Sequence, residues 1–100
     1  MSNLFDEAAD ILQRDGWIQG MSHNENGRCM VSALVQAAET TNQEPVGFAI
    51  AFAESQPELG LRRYGIPNWN DAYGRTIDEV LHALKLLSEA YELKKEKGLL

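Results

Sequence analysis

Apolar side chains recur every three or four residues along much of the chain, and this spacing predicts helices with one buried face. The first such stretch covers residues 4–12, where Ser2 or Asn3 can cap the start and Gly16 suits the end. A second stretch, residues 28–39, is apolar over most of its circumference, which is typical of a helix inside a bundle.

The stretch from residue 46 to 53 fits two structures. Phe48, Ile50 and Phe52 alternate as they would in a strand. The alanines between them, however, form helices more readily than strands. We therefore interpret this stretch as a third helix, which ends by Pro57.

The last apolar stripe runs from Ile77 to Tyr91. It begins after a capping box, Thr76-x-x-Glu79, in which each side chain can bond the backbone N–H of the other residue. Gly98 is expected to end this helix. Residues 57–73, which precede it, are predicted as a long connection that allows one short turn of helix around residues 58–63, and loops of this length often carry function.

Together these patterns predict a mainly all-α protein, a compact four-helix domain spanning residues 1–100, with a long loop before the last helix. They also allow a short extended pairing of Trp17 and Ile18 with the residues near Trp69. The 44% content of apolar residues is enough for one core in a chain of 100 residues.

The net charge of −6 disfavours nucleic acid as a partner, because binding to phosphates depends on Lys and Arg. Cys29 is the only cysteine, so neither an intramolecular disulfide nor a multi-cysteine metal site can form. The acidic start of the chain and the absence of a long apolar run predict a cytoplasmic protein that is neither exported nor bound to a membrane. No motif indicates a metal or a cofactor.

Cys29 is the first candidate for chemistry, because the predicted second helix places it in the first turn beside Arg28. The helix dipole and a cation both favour a thiolate. Gln19 could then stabilise an oxyanion, and His23 or His82 could act as a base, as in a cysteine-dependent hydrolase or transferase. The preferred interpretation is that Cys29 is a small buried core residue.

The loop before the last helix holds the second group of candidates. Asn70 and Asp71 could bind a cation or a polar ligand, or they could shape the turn through bonds to nearby backbone. Trp69 is expected to anchor the loop to the core. Arg75, with Arg62 and Arg63, could hold an anion, but pairing with some of the 15 acidic residues is preferred.

Three short motifs follow one another at wide spacing: Gly16-Trp17-Ile18-Gln19-Gly20; Gly27-Arg28-Cys29 with Ala33-Leu34; and Trp69-Asn70-Asp71 with Arg75-Thr76-Ile77-Asp78-Glu79-Val80. In this order they resemble a family of small uncharacterised proteins from actinobacteria and bacteriophages. The resemblance covers about residues 8–87 and implies a bacterial or phage origin, but no activity and no catalytic residues. The chain departs from the pattern at Ser32, where the family pattern has glycine.

Small size, negative charge and the lack of a complete catalytic motif favour a small interaction or regulatory protein. Its partner is expected to be a protein, bound through the acidic surface or the long loop. Trp69, Asn70, Asp71 and Arg75 are the candidate binding residues. The alternative is catalysis by Cys29, and the sequence does not define an oligomeric state.

Overall fold

The computed structural model describes residues 3–100, apart from the side chain of Tyr64, and its fold is mainly α-helical. This confirms the predicted fold class. The elements, in chain order, are α1 (Leu4–Asp15), β1 (His23–Asn24), β2 (Gly27–Arg28), α2 (Met30–Thr41), α3 (Val46–Glu54), a 3-10 turn (Pro57–Leu59), α4 (Leu61–Tyr64), α5 (Ile66–Asn70) and α6 (Ile77–Glu96).

The helix α1 begins where the sequence allowed it to begin. Asn3 caps it and forms a capping box with Asp6. The amide of Asn3 also reaches across to α6, where its Nδ2 donates to the Oγ of Ser88 at 3.0 Å. This contact explains why a polar residue interrupts the apolar stripe of α6: the buried Ser88 hydroxyl ties the start of α1 to that helix.

The core lies between α1, α2, α3 and α6, with further side chains from the segment that joins α3 to α6. Four aromatic rings meet at one end of it, with centroid separations between 5.6 and 6.4 Å. These rings are Phe5, Phe48, Phe52 and Tyr91. Their close approach packs one face of α3 against rings of α1 and α6, so the ambiguous third stretch packs as a helix.

The segment predicted as a long connection, residues 57–73, contains more helix than the single turn allowed around residues 58–63, because it folds into the 3-10 turn, α4 and α5. Pro57 and Pro67 each lie in the first turn of one of these short elements, where a missing N–H costs nothing. Gly60 and Gly65, both with positive φ, separate the elements. Short helices joined by such glycines carry little apolar periodicity, so the pattern resembled a loop.

Two predictions near the second helix are also wrong. Trp17 forms a parallel bridge with Arg28, not with the residues near Trp69. The helix α2 starts at Met30 instead of Arg28, because residues 23–28 form an antiparallel hairpin with His23 opposite Arg28. Glu25 and Asn26 form the two-residue turn at the tip of this hairpin.

Gly16 and Gly27 are in direct backbone contact where the hairpin crosses the end of α1. A Cβ atom added to Gly27 would lie 2.3 Å from the carbonyl oxygen of Gly16, and one added to Gly16 would lie 2.3 Å from that of Asn26. Both glycines have positive φ angles, of 100° and 150°. The crossing therefore requires two residues without side chains.

We predict that Gly27→Ala lowers the free energy of unfolding by about 2 to 4 kcal/mol, because it adds a backbone clash to an unfavourable φ. Gly47→Ala is the matched control: a Cβ there meets nothing within 4 Å, and Gly47 lies within α3. The control should gain about 0.5 kcal/mol from helix propensity. Urea unfolding of both variants tests this, and equal stabilities would contradict it.

Candidate functional site

Asn70, the last residue of α5, is the point at which three segments of the chain meet. Its side chain is fully buried. The Oδ1 atom accepts hydrogen bonds from the indole N–H of Trp17, at 2.7 Å, and from the backbone N–H of Met30, at 3.0 Å. The Nδ2 atom donates to the carbonyl of Ile18, at 3.1 Å, and to the Oδ1 of Asp71, at 2.9 Å.

These four bonds use the full hydrogen-bonding capacity of the Asn70 amide, which has two acceptor positions and two N–H donors. Asn70 is therefore occupied by the protein itself. It holds the extended segment after α1, the start of α2 and the end of α5 in one arrangement. The candidate binding residue is thus a structural centre, whose amide has no capacity left for a ligand.

Gln19 and Gly20, which are exposed, also bond to the end of α5 and to the residues that follow it. The Nε2 of Gln19 donates to the carbonyls of Asn70 and Ala72, both at 3.0 Å. The backbone N–H of Gly20 donates to the Oδ1 of Asp71, also at 3.0 Å. Both donors of Gln19 are therefore engaged, and the oxyanion role that the sequence allowed would require them to be released.

Trp69, in α5, and Arg75, just before α6, contact each other. The indole of Trp69 is buried, and the guanidinium of Arg75 lies 3.9 Å from the centre of its ring. Arg75 also donates from Nε to the carbonyl of Trp69, at 2.9 Å, and pairs with Glu79 at 3.1 Å. Trp69 is the anchor that the sequence predicted, and Arg75 is paired internally, as preferred.

Glu79 completes the capping box at the start of α6. Its carboxylate accepts the backbone N–H of Thr76 at 3.0 Å, and the Oγ1 of Thr76 accepts the N–H of Glu79 at 3.2 Å. The bond from the Thr76 backbone is the main cause that holds the pKa of Glu79 below its ordinary value, and the charge of Arg75 adds to it. The cap and the Arg75 pair therefore share one ionised carboxylate.

Cys29 is the N-cap residue of α2, one position before the first turn in which the sequence placed it. Its sulfur accepts the backbone N–H of Ser32 at 3.4 Å, and its own N–H donates to the carbonyl of Ser22 at 2.8 Å. The residue is 8% exposed. The sulfur thus occupies the position that a serine oxygen often takes at a helix start.

Neither histidine is a partner of Cys29. His23 lies on the exposed strand β1, where its Nδ1 contacts the Oγ of Ser22 at 3.0 Å. His82 lies on the exposed side of α6. Across residues 3–100, the Ser32 N–H is the one hydrogen-bond partner of the thiol, so the structure places no base beside it.

A pocket of about 300 Å³ lies beside Cys29, between the hairpin and α5. We call it the Cys29 pocket. It is lined by Gly20, Met21, Ser22, Cys29, Val31, Pro67 and Asp71. Met21 is 54% exposed at this surface, and Tyr73, two residues after Asp71, is fully exposed.

The sequence motifs anticipated part of this site. The structure joins Trp17, Gln19, Asn70 and Asp71 directly, and Cys29 lies next to them because Met30 bonds Asn70. His23 and His82 are outside this constellation. Met21, which lines the pocket, was missed, since a single apolar residue within a polar segment has no periodicity to mark it.

Among residues 3–100, no group of three or more His, Cys, Asp or Glu side chains is placed to hold a metal ion. Every helix in that range is too short or too polar to cross a membrane.

Comparison with known proteins places this all-α chain in a family. Residues 1–89 match the DUF6197 family, a family of unknown function, and the chain belongs to it. Comparison with curated proteins gave no match. Comparison with solved structures gave none either.

We predict that Asn70→Asp destabilises the protein by about 3 kcal/mol at neutral pH, because one carboxylate oxygen would face the Ile18 carbonyl and the Asp71 carboxylate. Those neighbours raise the pKa of the new carboxyl above its unfolded value. The folded state then favours the protonated form, so the loss should be small at acidic pH and should grow as the pH rises.

Urea unfolding between pH 4 and pH 7, at about one-unit steps, measures this dependence. Asn24→Asp is the control, because Asn24 is exposed and its Oδ1 accepts from Asn26, an acceptor role that a carboxylate retains. Its Nδ2 donates to the sulfur of the exposed Met21, a weak acceptor at the surface whose loss costs little. A loss at Asn70 that does not change with pH would contradict the role of its N–H donors.

Proposed function

We propose that this DUF6197 protein is a small interaction or regulatory protein of the cytoplasm, which binds a protein partner at the Cys29 pocket. One observation carries the proposal: the hydrogen bonds of Asn70 hold in place a surface that exposes apolar side chains. Met21, at the pocket, is 54% exposed, and Tyr73 is fully exposed. Exposed apolar groups beside a concave site are typical of protein interaction surfaces.

The chemistry of the pocket favours a particular kind of partner. Val31, Pro67 and Met21 offer apolar contacts to an inserted side chain. Asp71 uses its Oδ1 for Gly20 and Asn70, whereas its other oxygen receives no hydrogen bond from residues 3–100. A partner segment that carries an apolar residue next to a lysine or arginine would satisfy both features, and the net charge of −6 would attract it.

The proposal includes the bacterial or bacteriophage origin that the three motifs imply. In a phage, the partner would be a host protein whose activity the small protein changes by binding. Fold alone does not define function. Analogy with other small phage-encoded regulators supports a host protein as the partner.

Cysteine catalysis is the second candidate, and one observation favours it. Cys29 lies at the start of α2 and lines a pocket, which is a setting that can activate a thiol. Hydrolysis or transfer would also need a base, and His23 would have to leave the Ser22 hydroxyl to act as one.

A thiol probe distinguishes the two candidates. We predict that a maleimide labels Cys29 much more slowly in the folded protein than in the urea-unfolded chain, because the residue is 8% exposed and its sulfur caps α2. Mass spectrometry at neutral pH follows the reaction. Labelling of the folded protein at the unfolded rate or faster would favour catalysis.

Selection from a peptide display library tests the binding proposal. We expect the folded protein to enrich peptides with an apolar residue beside a lysine or arginine. Met21→Ser and Tyr73→Ser should each weaken the selected peptides about 10-fold or more, because exposed apolar anchors carry much of the affinity at such sites.

Leu93→Ser is the matched control for these variants, because Leu93 is exposed to a similar extent, 51%, near the end of α6. The control should leave peptide binding unchanged. Enrichment of peptides without this sequence preference, or equal peptide binding by all the variants, would contradict the proposal.

A further inference from the structure

A second pocket lies at the opposite end of α2 from Cys29, where the chain turns into α3. Its volume is about 440 Å³. We call it the α2–α3 pocket. Four apolar side chains and two carboxylates contribute to its lining: Val35, Ala38, Pro45, Val46, Glu39 and Glu44.

Glu44 is held in place by a buried group. The hydroxyl of Tyr91, a residue only 1% exposed, donates to the Oε2 of Glu44 at 2.9 Å. Burial, followed by this bond, raises the pKa of Tyr91 to about 12, so the hydroxyl remains a donor at physiological pH. The Oε1 of Glu44 receives no hydrogen bond from the described residues and can accept one from a cation.

Residues 93–100, with three lysines against one carboxylate side chain, Glu96, have the opposite net side-chain charge, and we call them the basic segment. Lys94, Lys95 and Lys97 lie within four positions of one another, in a chain with only nine basic residues. The same segment exposes three leucines: Leu93 by 51%, Leu99 by 68% and Leu100 by 48%. Such a concentration of exposed apolar side chains marks an interaction surface.

The end of α6 keeps this segment compact. The N–H of Leu99 donates to the carbonyl of Lys94 at 2.8 Å, and that of Gly98 donates to the carbonyl of Lys95 at 3.1 Å. These bonds form a Schellman-type turn, which brings Leu99 back beside the last turn of the helix. Lysines and leucines are therefore presented together.

The basic segment and the α2–α3 pocket lie at the same end of the molecule. The Lys95 ammonium is 5.8 Å from the ring centre of Tyr91, whose hydroxyl binds Glu44. When two copies face each other about a two-fold axis, the pocket of each copy can contact the basic segment of the other, because the two surfaces are adjacent and complementary in charge.

We propose that the α2–α3 pocket binds the basic segment of a second copy of this chain, with leucines on the apolar lining and lysines beside Glu39 and Glu44. Two reciprocal contacts of this kind close a dimer. Each contact is small compared with the roughly 1,200–2,000 Å² buried in stable interfaces, so the dimer is weak and forms as the protein concentration rises. Salt weakens it further by screening the charges.

Sedimentation velocity from micromolar to near-millimolar protein tests the proposal, and wild type should change from monomer to dimer over this range. The double variant Leu99→Ser and Leu100→Ser should raise the dimer dissociation constant at least about 10-fold. Met21→Ser, at the Cys29 pocket, is the control and should dimerise as wild type does. A wild type that stays monomeric throughout would overturn the proposal.

A charge exchange identifies the two surfaces. Glu39→Lys and Lys97→Glu should each weaken self-association, whereas an equimolar mixture of the two variants should restore a dimer, since opposite charges then meet in both contacts. Glu39 and Lys97 are both exposed, so neither change disturbs the core. A mixture that associates no better than either variant alone, or a dimer that neither change weakens, would place the interface elsewhere.

Discussion

The structure depends most on the amide of Asn70. This side chain is fully buried, and it links the segment after α1, the first turn of α2 and the end of α5 through four hydrogen bonds. Removing the amide would leave the buried Met30 N–H without its partner, together with the partly buried Trp17 indole and Ile18 carbonyl. Each such group costs about 1 to 3 kcal/mol, so the amide controls the geometry of every segment it touches.

The parts of the fold that local chemistry determines could be predicted from the sequence. Asn3 and the Thr76-x-x-Glu79 box cap α1 and α6 through residues no more than three positions away. Buried positions such as Leu84 and Leu87 follow from helical spacing alone. Gly98 ends α6 for an equally local reason, because it supplies the left-handed backbone after the last turn.

The site was harder to predict, because its contacts are remote in sequence. Asn70 lies 53 positions from Trp17 and 40 from Met30 in the chain. Nothing local distinguishes an asparagine that shapes its own turn from one that holds two distant segments. The predicted pairing of Trp17 with the Trp69 region placed the right segments together, but the contact is made by side chains, and the backbone of Trp17 pairs with Arg28.

The two pockets lie at opposite ends of α2, a helix of 12 residues that spans about 18 Å. A partner at the Cys29 pocket and a second copy at the α2–α3 pocket would therefore bind to different residues. The crossing of Gly16 and Gly27 constrains the chain in another way. A Cβ at either position meets backbone atoms, chiefly a carbonyl oxygen, which every amino acid carries. No compensating substitution at the facing residue can make room for it. A side chain gained at one of these two positions during evolution therefore cannot be accommodated by a change at the other.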